Sequence, residues 1–230
     1  MPTFKWNWSP KVVYSVRNMP PFAVVTCGPA FEPIDEVRCL TNHSSGELGT
    51  YLCEALRDRG FDVLCLRGSM ATFRQPDGVK IRQFGTNSEL DALLGDLPHP
   101  PQAIFHVAAL CDYEFAGLDG AESARKISSS ADSLTLHFRA AKKLLPTFRD
   151  RFPDALLVGW KFEADGSRGD AIARGKKQTA TCHTDACVVN GPAYGAGFGF
   201  LSEAPLSHVS GKAEISRFLA GWALGKLSLL

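Results

Sequence analysis

Apolar and polar positions along this chain fall into two kinds of block. Short continuous apolar runs, Phe22 to Cys27, Phe61 to Leu66, Ala103 to Ala108, Ala155 to Trp160 and Asp185 to Val189, have the length and residue types of buried strands. Between the first two runs Leu48, Leu52, Ala55 and Leu56 recur at helical spacing, and Gly60 supplies a stop after Arg57 and Arg59. A polar helix rich in Arg and Lys is predicted over roughly Ser167 to Thr181, and Ile215, Phe218, Leu219 and Trp222 mark an amphipathic C-terminal helix. Strands alternating with helices predict βαβ units, hence an α/β fold around a mostly parallel sheet.

Three stretches break the pattern. Tyr113 to Asp132 is poor in apolar residues and holds Gly, Ser and charges, which predicts a long loop or flap. Tyr194 to Phe200, YGAGFGF, reads as a glycine-rich bend. Residues 1–21 stand outside the core pattern as an N-terminal extension, leaving 22–230 as one domain with no internal repeat and no linker.

Composition adds boundaries. With 45% hydrophobic and 21% charged residues, a chain of 230 is an ordinary globular protein able to bury a sizeable core. A formal net charge of +1 gives no reason to expect a nucleic-acid or membrane surface. The cysteines are odd in number, seven, and several sit inside apolar strands or helix faces, so a secreted disulfide framework is not expected. No apolar run approaches the length of a membrane span and the N-terminus lacks the apolar core of a signal peptide, which makes a cytoplasmic home the expectation.

The chemistry concentrates between the first strand and the first helix. Glu32 to Gly49, EPIDEVRCLTNHSSGELG, places an arginine, an amide, two serine hydroxyls and two glycines around one turn. Ser44, Ser45 and Gly46 fall where the helix begins, and free N–H groups with the helix dipole make such a place an anion site. Ser44 with Glu47 is equally a capping box that satisfies those N–H groups without a ligand. Gly28 suits a close backbone approach or a tight turn. Arg38 can clamp phosphate or carboxylate, and Asn42 can donate to a developing oxyanion, although either residue type is also common in turns.

Four further places follow along the chain. Ala108 and Ala109 end the third apolar run, and Asp112 lies beyond it, where open α/β sheets bind ligands. Lys126 sits in the flap. Trp160 can stack on a base or pack in the core, and Asn190 ends the last strand. Lys176 and Lys177 suit a triphosphate or an ordinary charged helix face. There is no GxxxxGK[ST], no GxGxxG after the first strand, and no CxxC or HExxH spacing, so neither a Walker site nor a built-in metal site is expected.

Read together, VTCGPAFEPIDEVRCLTNHSSGELG, HVAALCDY, RKISSS, VGWKFEAD and CVVN resemble phosphopantothenoylcysteine synthetase over about Phe22 to Leu224. The resemblance implies a Rossmann-like α/β fold, usually a homodimer, that joins 4′-phosphopantothenate to cysteine in coenzyme A biosynthesis. The nucleoside triphosphate is CTP or ATP, accompanied by Mg2+, and passes through an acyl nucleotidylate. Flavin is not expected, because the decarboxylase half to which bacterial members are fused has no counterpart here. Carried over by residue, the resemblance implies that Asn42 contacts the activated acyl group and assists its collapse onto cysteine. Lys126 would steady charge during nucleotidyl transfer. Arg38 would bind phosphopantothenate across the dimer, Ala108, Ala109 and Asp112 would line the junction, and Gly28, Ser44, Gly46 and Gly49 would cradle nucleotide phosphates. Trp160 stands where the family has a base-packing phenylalanine, Asn190 closes the pocket, and Lys176 or Lys177 stands near a family lysine.

The sequence departs from the family at CGPA, Cys27 to Ala30, where SGGT is common. Proline there removes an N–H from a turn that would face phosphate. The departure motivates a second reading, a diverged non-catalytic nucleotide- or phosphopantetheine-binding protein. A nicotinamide-dependent oxidoreductase is disfavoured by the missing glycine fingerprint.

Overall fold

The computed structural model describes residues 19–119, 126–128 and 132–229; most of the N-terminal extension and parts of the flap lie outside them. In chain order the strands are β1 (Phe22–Cys27), β2 (Phe31–Pro33), β3 (Cys39–Thr41), β4 (Asp62–Gly68), β5 (Lys80–Phe84), β6 (Ala103–His106), β7 (Tyr113–Leu118), β8 (Leu136–Ala140), β9 (Leu156–Phe162), β10 (Ala186–Asn190), β11 (Phe198–Leu201) and β12 (Ser207–Val209). The helices are α1 (Glu47–Asp58), α2 (Asn87–Gly95), the single turn α3 (Phe148–Arg151), α4 (Arg168–Cys182) and α5 (Lys212–Leu227).

Every residue of β1 is buried, as a strand covered on both faces must be. It pairs in parallel with β4 on one side and β6 on the other, Val24 standing opposite Leu64 and Ile104. The parallel strands run in the order β5-β4-β1-β6-β9-β10, and β11 and β12 extend that edge antiparallel into an eight-stranded sheet. This is the doubly wound order in which the chain leaves β1 toward one edge and returns beside it toward the other. The α/β, Rossmann-like expectation therefore holds.

Side-chain alternation along the strands decides which helix covers which face. Val25, Cys27, Cys65, Val158 and Val188 point to the side carrying Leu52 and Leu56 of α1 and Ile215 and Leu219 of α5. Val24, Leu64, Ile104 and Leu157 point to the side carrying Leu90 and Leu94 of α2 and Phe148 of α3. The helix α4 lies on that second side, with Ala171 packed beside Cys187 and Val189. Leu52 and Leu56 are fully buried, each contributing about 1.5–3 kcal/mol relative to exposure.

Two expectations need correction, and one connection departs from the βαβ alternation. Tyr113 to Leu118 is a strand, because its backbone pairs with β8 in an antiparallel hairpin that forms the base of the flap. The glycine-rich bend contains β11, whose Gly199 has no side chain to collide with the Tyr194 ring. The link from β4 to β5 carries no helix; a loop containing Ala71 and Phe73 crosses there instead. No described helix is long and apolar enough to cross a membrane.

Candidate functional site

Beyond the carboxyl ends of β1 and β6 the two strands stay joined by their backbones. Ala109 donates its N–H to Gly28 O at 3.0 Å and accepts from Ala30 N at 3.0 Å. This ladder forces a sharp change of direction at Gly28, whose φ of +76° is left-handed. Pro29 sits beside Ala109 with no N–H to lose from the ladder, so the CGPA sequence fits a structural extension of β1. Below it, Thr26 Oγ1 accepts from Ala108 N at 3.3 Å and shares a hydrogen bond with His106 Nδ1, 2.9 Å away. Burial lowers the His106 pKa to about 4, so the ring is a neutral fixture under the crevice. Nothing in the linear pattern marks the pair Thr26 and His106.

The β2–β3 hairpin closes over this ladder. Thr41 Oγ1 donates to Ala30 O at 2.7 Å, and Asn42 Nδ2 donates to Leu110 O at 2.8 Å. Asn42 is exposed, and its amide nitrogen carries a second N–H beyond the one given to Leu110. Asp112, one residue before β7, forms an ion pair with Lys143, a cation that sequence reasoning missed.

Asp35, also missed, holds the tip of the hairpin. Its side chain is closed to solvent and accepts from Ile127 N at 3.0 Å, Val37 N at 2.9 Å and Arg38 N at 2.7 Å, and it pairs with the Arg38 guanidinium. Arg38 also donates to Ile127 O at 3.3 Å. The flap segment 126–128 is thus clipped to the hairpin, with Lys126 exposed beside the clip. The Ile127 amide, with the other donors, lowers the Asp35 pKa from 3.8 to about 2. Because the folded value lies below the ordinary one, the clip is fully present above pH 3.8 and is lost as pH falls through about 2. A carboxyl titration followed by NMR should place Asp35 near 2, and Asp35→Asn should speed proteolysis around residues 126–128 several-fold. A midpoint at the ordinary value would remove the clip from the site.

The first helix starts two residues later than a Ser44 capping box requires. Its N-cap is Gly46, at φ +80°, with no side-chain cap; Ser45 Oγ accepts weakly from Glu47 N at 3.3 Å, and the Glu47 carboxylate pairs with Lys212 of α5. Glu47 is the first residue of α1 and not its third, and its carboxylate is engaged by Lys212, so the capping-box alternative fails; the carboxylate stays in the first turn but makes no capping hydrogen bond. A Cβ on Gly46 would lie 3.0 Å from both Ala71 Cβ and Arg67 Nη1, and one on Gly28 would lie 2.7 Å from Ala71 Cβ. The bare face of Gly49 is filled by Cys27, 2.1 Å from where a Cβ would stand.

Farther along the same carboxyl edge, Trp160 and Asn190 share the sheet face covered by α1 and α5, since Trp160 pairs with Val188 and Asn190 with Phe162. Trp160 Nε1 and Asn190 Oδ1 are both buried without a hydrogen-bond partner in the protein. Buried polar atoms are nearly always satisfied, so an unpaired donor and acceptor on adjacent strands mark a place where a polar ligand edge fits. Behind them Glu163 binds Lys161 at 3.1 Å and also pairs with Arg174; burial pushes its carboxyl up, but the two cations prevail and lower its pKa. Lys176 is exposed on α4, on the opposite face of the sheet, as is Lys177.

The fold therefore gathers Gly28, Asn42, Ala108 and Ala109 around the β1–β6 ladder, with Asp112 two residues beyond Leu110 and bonded instead to Ala141 and Lys143, and with Ser44, Gly46 and Gly49 at the adjoining helix start. It links Arg38 and Lys126 through Asp35 and Ile127, sets Trp160 and Asn190 on a common face, and leaves Lys176 apart. Among the described residues no three His, Cys, Asp or Glu side chains group as a metal centre.

Residues 22–214 match the family described as the DNA/pantothenate metabolism flavoprotein C-terminal domain. The chain is 32% identical over 177 residues to the coenzyme A biosynthesis bifunctional protein CoaBC of Mycolicibacterium smegmatis, covering 73% of this chain and 41% of that protein. It spans well under two thirds of the length of such relatives. Its fold is similar to that of the DNA/pantothenate metabolism flavoprotein from Streptococcus pneumoniae, with a TM-score of 0.78, 23% identity, and 92% and 99% of the two chains covered. It is also similar to a Cab2 variant in complex with phosphopantothenate-cysteine, with a TM-score of 0.71, 14% identity, and 90% and 86% covered.

Proposed function

The chain belongs to the DNA/pantothenate metabolism flavoprotein C-terminal domain family, the phosphopantothenoylcysteine synthetases, and from that membership we propose that it ligates 4′-phosphopantothenate to cysteine in coenzyme A biosynthesis. The observation that carries the reading is Asn42, an exposed amide fixed by Leu110 O beside the β1–β6 crevice and the uncapped start of α1. Such a site needs positioned donors and positive potential more than a protein nucleophile.

In this reading the phosphopantothenate carboxylate attacks the α-phosphorus of CTP or ATP and pyrophosphate leaves. The cysteine amine then attacks the acyl carbon, the second N–H of Asn42 donates to the oxyanion, and the nucleoside monophosphate departs as the amine loses its proton. The start of α1 at Ser44 to Gly49 and the turn at Gly28 hold phosphate, Ala108, Ala109 and Asp112 line the junction, and Trp160 and Asn190 receive the base. Lys126 comes over the phosphates from the clipped flap. Asp112, whose exposed carboxylate pairs with Lys143, would be the residue to hold the Mg2+ accompanying the triphosphate, and the ion would supply positive charge for the phosphates. A cytoplasmic homodimer in which Arg38 serves the neighbouring subunit completes the proposal, and that role requires Arg38 to exchange its Asp35 partner for substrate.

A second reading, binding without turnover, draws on the turn after β1. Pro29 has no N–H and the Ala30 N–H is given to Ala109 O, so neither amide is left for phosphate. Incubating the purified chain with phosphopantothenate, cysteine, Mg2+ and either CTP or ATP separates the two. The ligase reading expects pyrophosphate release and product of the correct mass with at least one nucleotide. Binding with no product under either nucleotide would establish the second reading instead.

A further inference from the structure

Arg67, near the end of β4, is 2% exposed, and it forms no ion pair with any carboxylate among the described residues. Its guanidinium donates to Thr50 Oγ1 at 3.3 Å, to Ala71 O at 3.2 Å and to Phe73 O. Its register partner on β1 is Cys27, and burial together with the neighbouring Cys65 thiol holds the Cys27 thiol in its neutral form. The partners are therefore a hydroxyl, carbonyls and an uncharged thiol. Arginine stays protonated in proteins, and a buried charge without an opposite charge is expensive to keep. Nη1 lies 3.0 Å from where a Cβ on Gly46 would be, directly under the uncapped start of α1.

We infer that Arg67 is a positioning residue that supplies fixed positive charge beneath the α1 start, and that its missing counterion is the polyphosphate of the nucleotide. It works through the Gly46 backbone without touching the ligand. Gly46 is required in this geometry because any side chain would separate the guanidinium from the helix start. The inference rests on the nucleotide part of the ligase reading, but its test needs no turnover: a chain that forms no product can still bind polyphosphate through this charge.

The test compares parent, Arg67→Lys and Arg67→Gln by calorimetric titration, without magnesium, with inorganic pyrophosphate, ATP, CTP and 4′-phosphopantothenate. Gln retains donors for the Ala71 and Phe73 carbonyls but carries no charge, whereas Lys retains the charge and loses the fork. The expected result is about a tenfold loss of affinity for pyrophosphate and for whichever nucleotide binds in Arg67→Gln. Arg67→Lys should stay within about threefold of the parent, and phosphopantothenate should be unaffected. Parent-like pyrophosphate binding by Arg67→Gln, equal losses in both variants, or equal losses for phosphopantothenate would overturn the inference. Thermal melting without ligand gives a second readout. Removing an unpaired buried charge should leave Arg67→Gln at least as stable as the parent, and added pyrophosphate should raise the parent's Tm more than the variant's. An Arg67→Gln chain that is unfolded or strongly destabilised without ligand would show that the carbonyls and Thr50 already compensate the charge, and would overturn it as well.

Discussion

Asn42→Asp is expected to release pyrophosphate at close to the parent rate while lowering product formation about 10²- to 10³-fold, the usual effect of deleting one oxyanion donor. The exchange keeps side-chain volume and removes both N–H groups. One of them is the 2.8 Å bond to Leu110 O, which becomes a repulsive contact between two oxygens; the other is the donor proposed for the acyl oxyanion. A negative charge then stands where negative charge must develop, but only in the step that consumes cysteine. The hairpin tether is tested separately by Thr41→Val, which deletes the 2.7 Å bond to Ala30 O and leaves the amide untouched. That variant should lose less than about tenfold, spread over both steps, since a single neutral hydrogen bond contributes about 1 kcal/mol. Rapid-quench measurement of pyrophosphate and product resolves the two. If Thr41→Val stalls at the same step as Asn42→Asp, Asn42 acts only by placement.

Gly49→Ala is expected to destabilise the fold by about 1–3 kcal/mol, the cost of overpacking, although alanine is the better helix former by up to about 1 kcal/mol. The new Cβ would stand 2.1 Å from Cys27 Cβ, against about 3.5–4.0 Å for an ordinary carbon contact. Both atoms belong to main elements, so α1 must lift from β1 at its first turn. That movement displaces Gly46 and the helix start as well, and polyphosphate binding should weaken with stability. Gly225, in α5, has nothing within 4 Å of the place a Cβ would occupy, so Gly225→Ala should show the propensity gain alone, a stabilisation of about 0.5–1 kcal/mol. Urea melts of the two variants check the pair. Gly49→Ala melting like the parent would mean that α1 can move at no cost.

The elements legible in the sequence were those with strong period or unbroken apolar runs. β1, β6, β9 and β10 were located by their runs, and α1 by Leu48, Leu52, Ala55 and Leu56 at one-turn spacing. The ordering of motifs around them was enough to find the family. The hairpins β2–β3 and β7–β8 were not legible, because they are short, largely exposed, and held by pairing between strands rather than by an apolar signature. β11 was hidden by Gly199, which makes room for Tyr194, and by Gly195 and Gly197 just ahead of it, which signal a bend. The capping box at Ser44 was a sound local pattern that lost to Lys212, a residue 165 positions away from its partner Glu47.

Residue order alone was enough for the α/β class and the strands nearest the site, and it singled out Glu32 to Gly49 as the candidate segment for holding anions. Those features follow from local rules of burial, periodicity and backbone freedom, which neighbouring residues express in full. Which of the candidates meet became visible only in three dimensions: Asn42 with Leu110, Asp112 with Lys143, Asp35 with Ile127, and Arg67 with Gly46. The fold also put Lys176 on the far face. A charge or hydrogen bond depends on distance and on exclusion of water, and both are set by how the sheet brings remote strands together, not by residue type or spacing along the chain.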